Sequence, residues 1–359
     1  MERITENLCT LINYNTTTDE GSTKACAAFI AACLSQAGIR VAEYGPGHQV
    51  YGLIPGRGEG TILLHAHMDT APYERDSGWR VPPDRASVRK ECITGRGALD
   101  CKGQIAVWIR LMQEAAGMCV DGMLPGASLA ILVTDREETG GEDGLGALIG
   151  RSPELFSDVR LVIGEGGGYP FYYRNRLYYT LQTGELEDGG KDSPAMRSSV
   201  RLEEVLRLGV DRGYYLPVIL DYARDWPYLG SRKLDMDLPL DALIAFFRNA
   251  PCSDLIRQYG EAFASSLQSV LPGAGLMPWI TPGYSDNRWF RKLGIPVAGF
   301  FPLDQGNALS GIHGANEYIS IRSLKLAYSV MTCVLHRFLK HDPSFSEGQD
   351  AYTASGRAL

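Results

Sequence analysis

Apolar residues recur along this chain in two rhythms. Ile4, Leu8, Leu11 and Ile12 fall at helical spacing. Ala25, Phe29, Ala32 and Cys33 repeat the pattern before Ala37-Gly38 stops it. Helices are therefore predicted over 1–13 and 22–38. Short apolar stretches predict strands over 40–44 and 49–54, the second closed by Pro55-Gly56. Continuous apolar runs follow at 62–64, 127–133 and 161–163, the pattern of strands buried on both faces. Each run ends in chemistry. The first passes into His65-Ala66-His67-Met68-Asp69, the second into Thr134-Asp135-Arg136-Glu137-Glu138, and the third into Gly164-Glu165-Gly166-Gly167-Gly168. Open α/β sheets build their sites at the C-terminal edge of the strands, so three such endings point to a shared rim of ligands.

Between and beyond these runs the pattern is more varied. Residues 70–95, with Pro72, Pro82 and Pro83, read as a long loop. Gly95 to Gly103 leads into a helix carrying Ile105, Trp108, Ile109 and Met112, which puts Asp100 at a helix start. An N-cap aspartate would need no further explanation. The flanking glycines argue for more, because they let backbone approach another group closely. Residues 171–185 are tyrosine-rich and strand-like, and 189–194 read as a linker or tight loop. The stretch 200–270 looks mostly helical, clearest over 240–247 and 255–271. A strand over 295–301, a loop over 311–317 and an amphipathic helix over 323–340 follow, then a polar tail. The layout is an α/β domain with a mostly parallel sheet, interrupted by a smaller inserted domain.

Composition narrows the class. At 359 residues the chain can bury a substantial core, and 45% hydrophobic with 21% charged residues is ordinary for a globular protein. A net charge of −7 with no basic run argues against nucleic acid as a partner. No apolar run approaches the ~18 residues of a membrane span, and Met1-Glu2-Arg3 opens an amphipathic helix where a signal peptide would begin. No membrane partner and a cytoplasmic location are expected. The eight cysteines are scattered with no CxxC pair, as suits reduced thiols.

Zinc accepts histidine nitrogen and carboxylate oxygen, and hydrolytic sites leave a position open for water. Only six histidines occur. His67 and His313, with Asp100, Glu138 and Glu165, supply enough donors for two metals if one carboxylate bridges. Glu137 and Glu138 are neighbours whose side chains diverge, so one ligand beside one general base is the natural division. Taken singly, Glu138 reads equally as a solvated loop acid and His313 as a surface turn residue; the joint pattern carries the reading.

The strings LLHAHMDTAP, GRGALDCKGQIA, TDREETGGEDGLGAL, VIGEGGG, SDNRWFRKLGIPVAGFFP and GIHGANEYISI resemble, in order, those of the co-catalytic dizinc amidohydrolases. That family includes acetylornithine deacetylase, succinyl-diaminopimelate desuccinylase, aminoacylase and glutamate carboxypeptidase. The resemblance covers about 61–185 and 275–335. It implies a zinc-binding α/β/α catalytic domain at 1–179 and 275–341, a lid at 180–274, and a polar tail at 342–359. It further implies two Zn2+ ions, or Co2+ or Mn2+ in their place. His67 and Glu165 would hold one, Glu138 and His313 the other, and Asp100 would bridge them. Asp69 would orient His67, and Glu137 would take a proton from the attacking water and pass it to the leaving amine.

The lid departs from the family pattern. Family lids carry a Gly-His segment whose histidine helps hold the oxyanion; here Gly189 to Pro194 has Lys191 in its place, and no histidine lies between His67 and His313. Lys191 and Arg288 are candidate replacements. Arg288, after Asn287, is also placed to clamp a substrate carboxylate, with Asn287 beside it. The expected substrate is a small amide or peptide with a free carboxylate, such as an N-acyl amino acid. Two alternatives stand beside this reading: a specialised biosynthetic enzyme handling an unusual amide or a condensation, and a silent metal-bound binding protein. A homodimer is compatible with the family, although the atypical lid weakens a lid-mediated one.

Overall fold

The structure is a computed structural model. It describes residues 1–58, 60–74, 78–119, 124–173, 175–185, 200–201, 207, 210–211, 233–234, 252–281, 285–309 and 311–339. The strands are β1 (Arg40–Tyr44), β2 (Gln49–Ile54), β3 (Thr61–His67), β4 (Ser87–Arg89), β5 (Cys92–Thr94), β6 (Ser128–Thr134), β7 (Val159–Gly164), β8 (Pro170–Tyr173) and β9 (Arg176–Glu185). They continue with β10 (Val200–Arg201), β11 (Lys233–Leu234), β12 (Gly275–Thr281), β13 (Val297–Gly299) and β14 (Tyr318–Ser320). The helices are α1 (Glu2–Ile12), α2 (Lys24–Ser35), α3 (Lys102–Met118), α4 (Ala147–Arg151), α5 (Cys252–Val270), α6 (Asn287–Lys292) and α7 (Ile321–Leu339).

Among the described residues a nine-stranded sheet runs β1-β2-β6-β3-β7-β13-β9-β12, with β8 on β9. Its centre is parallel: β3 lies between β6 and β7, and β13 extends β7. The register sets His67 opposite Thr134 and Leu64 opposite Ile163, so the polar endings of three neighbouring strands meet at one rim.

The apolar runs alternate between two cores. Ile62, Leu64, Leu129, Ile131, Leu161 and Ile163 face one, under α1, α2, α3, α5 and α7. Leu63, Ala130, Leu132 and Val162 face the other, with Leu145, Leu148 and Phe290. Burial on both faces is why these strands read as unbroken apolar runs rather than as alternation.

Helix α3 is anchored directly to β3. Gln104 Nε2 and Trp108 Nε1 both donate to the carbonyl of His65, at 3.2 and 3.1 Å. Trp108 is fully buried and meets the Phe301 ring edge-on. The start of the helix, and Asp100 before it, is thereby tied to the strand that carries His67.

Two expectations need correction. The loop 70–95 contains β4 and β5, which form a three-stranded antiparallel sheet with β14; strands this short leave too few alternating positions to be read from sequence. The lid range 180–274 is too wide. Strand β9 stays in the main sheet through Glu185, and α5, expected within the lid, packs on α7 with Leu255, Phe263 and Leu267 in the main core. An amphipathic stripe reports that a helix packs, not on which domain. In the stretch 200–270, read as mostly helical, the described residues are helical over Cys252–Val270 and include the short antiparallel pair β10–β11. The segment 240–247, Lys191 and the tail 342–359 lie outside the described residues.

Replacing Trp108 by Ala removes a buried ring and one donor to His65. The expected loss is about 3–5 kcal/mol of unfolding free energy, read by denaturant titration; a loss near zero would contradict the anchoring of α3 on β3.

Candidate metal centre

His67 ends β3 with its ring completely buried. Its Nδ1–H donates to the backbone carbonyl of Asp69 at 2.9 Å, which points Nε2 at the rim. Around Nε2 stand Asp100 Oδ1 at 3.0 Å, Glu165 Oε2 at 3.8 Å and Glu137 Oε2 at 3.9 Å. The other oxygen of Asp100 faces the second imidazole: His313 Nε2 lies 3.2 Å from Asp100 Oδ2 and 2.9 Å from Glu138 Oε2. One carboxylate thus divides its two oxygens between two histidines, and each histidine has a further acid of its own. All five expected ligand residues come together.

Each is placed by local structure. Arg136 takes the left-handed conformation (φ 62°), and the single 3-10 turn Glu137–Thr139 follows it, so the adjacent acids diverge. Glu137 turns to His67 and Glu138 to His313. Glu138 is further held by Ala71 N–H, which donates to its Oε1 at 2.9 Å. The peptide between Asp100 and Cys101 is cis. His313 sits in a turn at φ 57°, uncommon for a residue with a side chain, and its ring is about half exposed, the open side of the centre.

Asp69 does more than the sequence implied. Its carboxylate is 3.5 Å from His67 Nδ1, so the closer partner of that ring is Asp69's own carbonyl. The carboxylate instead accepts the Glu138 N–H at 3.1 Å, which joins the end of β3 to the turn after β6.

The electrostatics ask for cations. Burial works against a charged His67, yet Cys101, Glu165, Asp100 and Asp69 hold its pKa well above the usual range. Hydrogen bonds to Asp100 and Glu138 raise His313 to about 10. Burial raises Glu137, with Glu165, Asp286 and Asp100 adding to the push. Burial also raises Glu165. Asp100 falls below the carboxylate range in spite of burial, because both histidines bond to it. Glu165 Oε1 is buried without a hydrogen-bond partner among the described residues. Carboxylates crowded in this way, one with an orphaned oxygen, suit a site that takes divalent ions. The donor sets His67–Asp100–Glu165 and Asp100–Glu138–His313 each lie close enough for one ion.

Of the three expected substrate residues, Lys191 lies outside the described residues and the other two fare differently. Asn287 is completely buried, and its amide donates to the Glu165 carbonyl at 3.0 Å and to Gln182 Oε1 at 2.7 Å. It holds the chain at Glu165 and has no surface for a substrate, which corrects the expectation. Arg288 is half-buried, lies over the Trp289 ring and donates to the carbonyl of Gly140, at the end of the turn carrying Glu137 and Glu138. Of the tyrosines, Tyr178 and Tyr179 are packed into the sheet, Tyr178 stacking on Phe171, as expected for strand residues.

Sequence reading missed two buried groups. Under Glu137, His65 Nε2 donates to Thr134 Oγ1 at 3.1 Å, and that hydroxyl donates to Asp286 Oδ2 at 2.9 Å. Burial pushes Asp286 up to about 8 and His65 down to about 3. The second group, Arg96 with Glu317, contacts the backbone at Asp100 and His313. The signals were present, since Asp286 precedes Asn287 and Glu317 lies in the matched string after His313, but a lone acid in a loop gives no sign of burial.

Residues 63–337 match the profile of Peptidase family M20/M25/M40. A cysteinylglycine-S-conjugate dipeptidase from Corynebacterium striatum is 38% identical over 110 residues, 30% of this chain and 23% of that protein. A succinyl-diaminopimelate desuccinylase from Maricaulis maris is 35% identical over 109 residues, 30% of this chain and 27% of that protein. The aligned segments therefore span less than a third of either relative. Among solved structures, an M20 family metallo-carboxypeptidase from Sulfolobus solfataricus superposes with a TM-score of 0.65 at 16% identity, covering 93% of this chain and 99% of that one. Human carnosine dipeptidase 1 gives 0.63 at 11% identity, covering 93% and 96%. These two likenesses are of fold. Among the described residues no helix is long and apolar enough to cross a membrane. With the profile match extending over most of its length, the chain belongs to peptidase family M20/M25/M40.

Proposed function

We propose that the protein is a metal-dependent hydrolase that cleaves an amide bond in a dipeptide or N-acyl amino acid bearing a free carboxylate. One observation carries the reading: the two oxygens of Asp100 are shared between His67 and His313, with Glu165, Glu138 and Glu137 grouped around them. His67, Asp100 and Glu165 would hold one divalent ion, and Asp100, Glu138 and His313 a second, zinc being the expected metal. Bound there, the ions would supply Lewis acidity, polarising a carbonyl and making water acidic near neutral pH.

The chain's own groups would do the rest. Glu137 binds neither ion in this assignment, and its carboxylate is free to take a proton from the attacking water. Burial beside Glu165 and Asp286 raises its pKa, so it holds that proton long enough to deliver it to the leaving amine. The Asp69 carbonyl keeps a proton on His67 Nδ1 and so keeps Nε2 available as a donor.

Replacing Glu137 by Gln should leave metal content intact and lower turnover by roughly a hundred- to ten-thousand-fold. Mass spectrometry of a panel of dipeptides and N-acyl amino acids reads the product. Unchanged turnover in the variant, or no product from the metal-loaded wild type, would sink the reading.

Metal uptake should expel protons, because His67 and His313 are held protonated until an ion takes their lone pairs. The His313 pKa is raised, so apparent affinity should climb as pH rises toward about 10. A pH-indicator dye in weak buffer at neutral pH measures the release; uptake without released protons would contradict the ligand assignment.

Arg288 is proposed as the clamp on the substrate carboxylate. Replacing it by Met should raise KM about tenfold or more for free-acid substrates, with kcat little changed and the amidated analogues unaffected. A fall in kcat alone would instead assign Arg288 to holding the Glu137 turn through Gly140.

A further inference from the structure

Glu317 is a completely buried carboxylate that makes no contact with His67, Glu138 or Glu165 in the structure, and it is bonded to the backbone of the shared aspartate. Its Oε1 accepts the N–H groups of Leu99 at 2.8 Å and Asp100 at 3.0 Å. Its Oε2 accepts the N–H of Gly97 at 3.0 Å and Nη1 of Arg96 at 3.0 Å. Both oxygens are thus used twice, the capacity of an ionised carboxylate. Gly97 has φ +82°, and a side chain there would press on Thr70 and Lys102, so the glycine lets the loop close around the acid.

Arg96 extends the same grip to the other histidine. It is buried, and while Nη1 holds Glu317, Nη2 donates to the carbonyls of His313 at 3.2 Å and Pro72 at 3.4 Å. The backbone repeats the tie, since Gly95 N–H donates to the Glu317 carbonyl at 3.0 Å. The Asp100 and His313 segments, far apart in sequence, are therefore joined through one buried ion pair.

We propose that Glu317 with Arg96 positions the metal centre, aiming Asp100 so that its two oxygens diverge and holding His313 against one of them; this rests on the metal-dependent reading above. An ionised carboxylate is the group that can accept four donors at this point. A glutamine of the same shape would turn an NH2 toward two N–H donors, leaving buried groups unpaired and the loop misaimed. The residues act through Asp100 and His313 and touch no substrate.

The test uses the full chain and cobalt as the probe. Wild type, Glu317→Gln and Arg96→Lys are titrated with Co2+ by visible absorption, and zinc content and thermal unfolding are read on the same samples. Glu317→Gln should bind cobalt about 10- to 100-fold more weakly, with altered absorption because Asp100 no longer presents both oxygens. Arg96→Lys keeps a charge for Glu317 but loses the fork that reaches His313, and it should weaken chiefly one of the two ions. A folded Glu317→Gln protein with wild-type cobalt affinity and spectrum overturns the proposal. If that variant does not fold, Arg96→Lys decides: two ions bound as in wild type overturn it, and selective loss of one supports it. A wild-type chain that takes up no cobalt overturns the hydrolase reading, and the positioning role with it. Normal wild-type uptake with unaltered variants overturns the positioning role alone.

Discussion

Carboxylates of Asp69, Asp100, Glu137, Glu138 and Glu165 gather around two imidazoles in a largely buried rim, and the surrounding structure exists to hold that crowding. Like charges brought together away from water repel strongly unless cations or hydrogen bonds offset them. The protein supplies hydrogen bonds from the backbone: Ala71 to Glu138, Glu138 to Asp69, and His67 to the Asp69 carbonyl. Divalent ions would supply the remainder of the compensation.

The sheet makes the crowding possible. Parallel strands β6, β3 and β7 deliver their endings to one edge, and burial on both faces leaves the strands little freedom to slip. Helix α3 adds Asp100 from outside the sheet, tied down through Trp108 and Gln104 to the carbonyl of His65. His313 arrives from the far end of the chain in a strained turn, and the Arg96–Glu317 pair carries that connection. Buried polar groups away from the rim, Arg96, Gln104, Trp108 and Glu317, thus fix the backbone that carries its histidines and Asp100.

The family match and the fold agree on the α/β domain that carries the rim. Asn287 is committed to the Glu165 backbone and Gln182, while the His313 ring forms the open side of the centre. Arg288 follows Asn287 on the same helix and reaches the end of the turn bearing both glutamates through the Gly140 carbonyl.

The sequence alone determined the strand endings, the histidines and acids that gather at their rim, and the parallel core, because these depend on local pattern: unbroken apolar runs, glycines, and acids or histidines at fixed offsets. Helix α1 and strands β1, β2 and β3 were legible for the same reason. Only the tertiary structure placed β9 in the main sheet and α5 on the main core, since a strand or helix has the same local pattern whichever domain it packs on. It also decided that Asn287 is interior, that the Asp69 carbonyl rather than its carboxylate is the closer partner of the His67 ring, and that Glu317 lies under Asp100. Those facts rest on long-range contacts, and an isolated polar residue in a loop has no local signature of the partner it will meet across the fold.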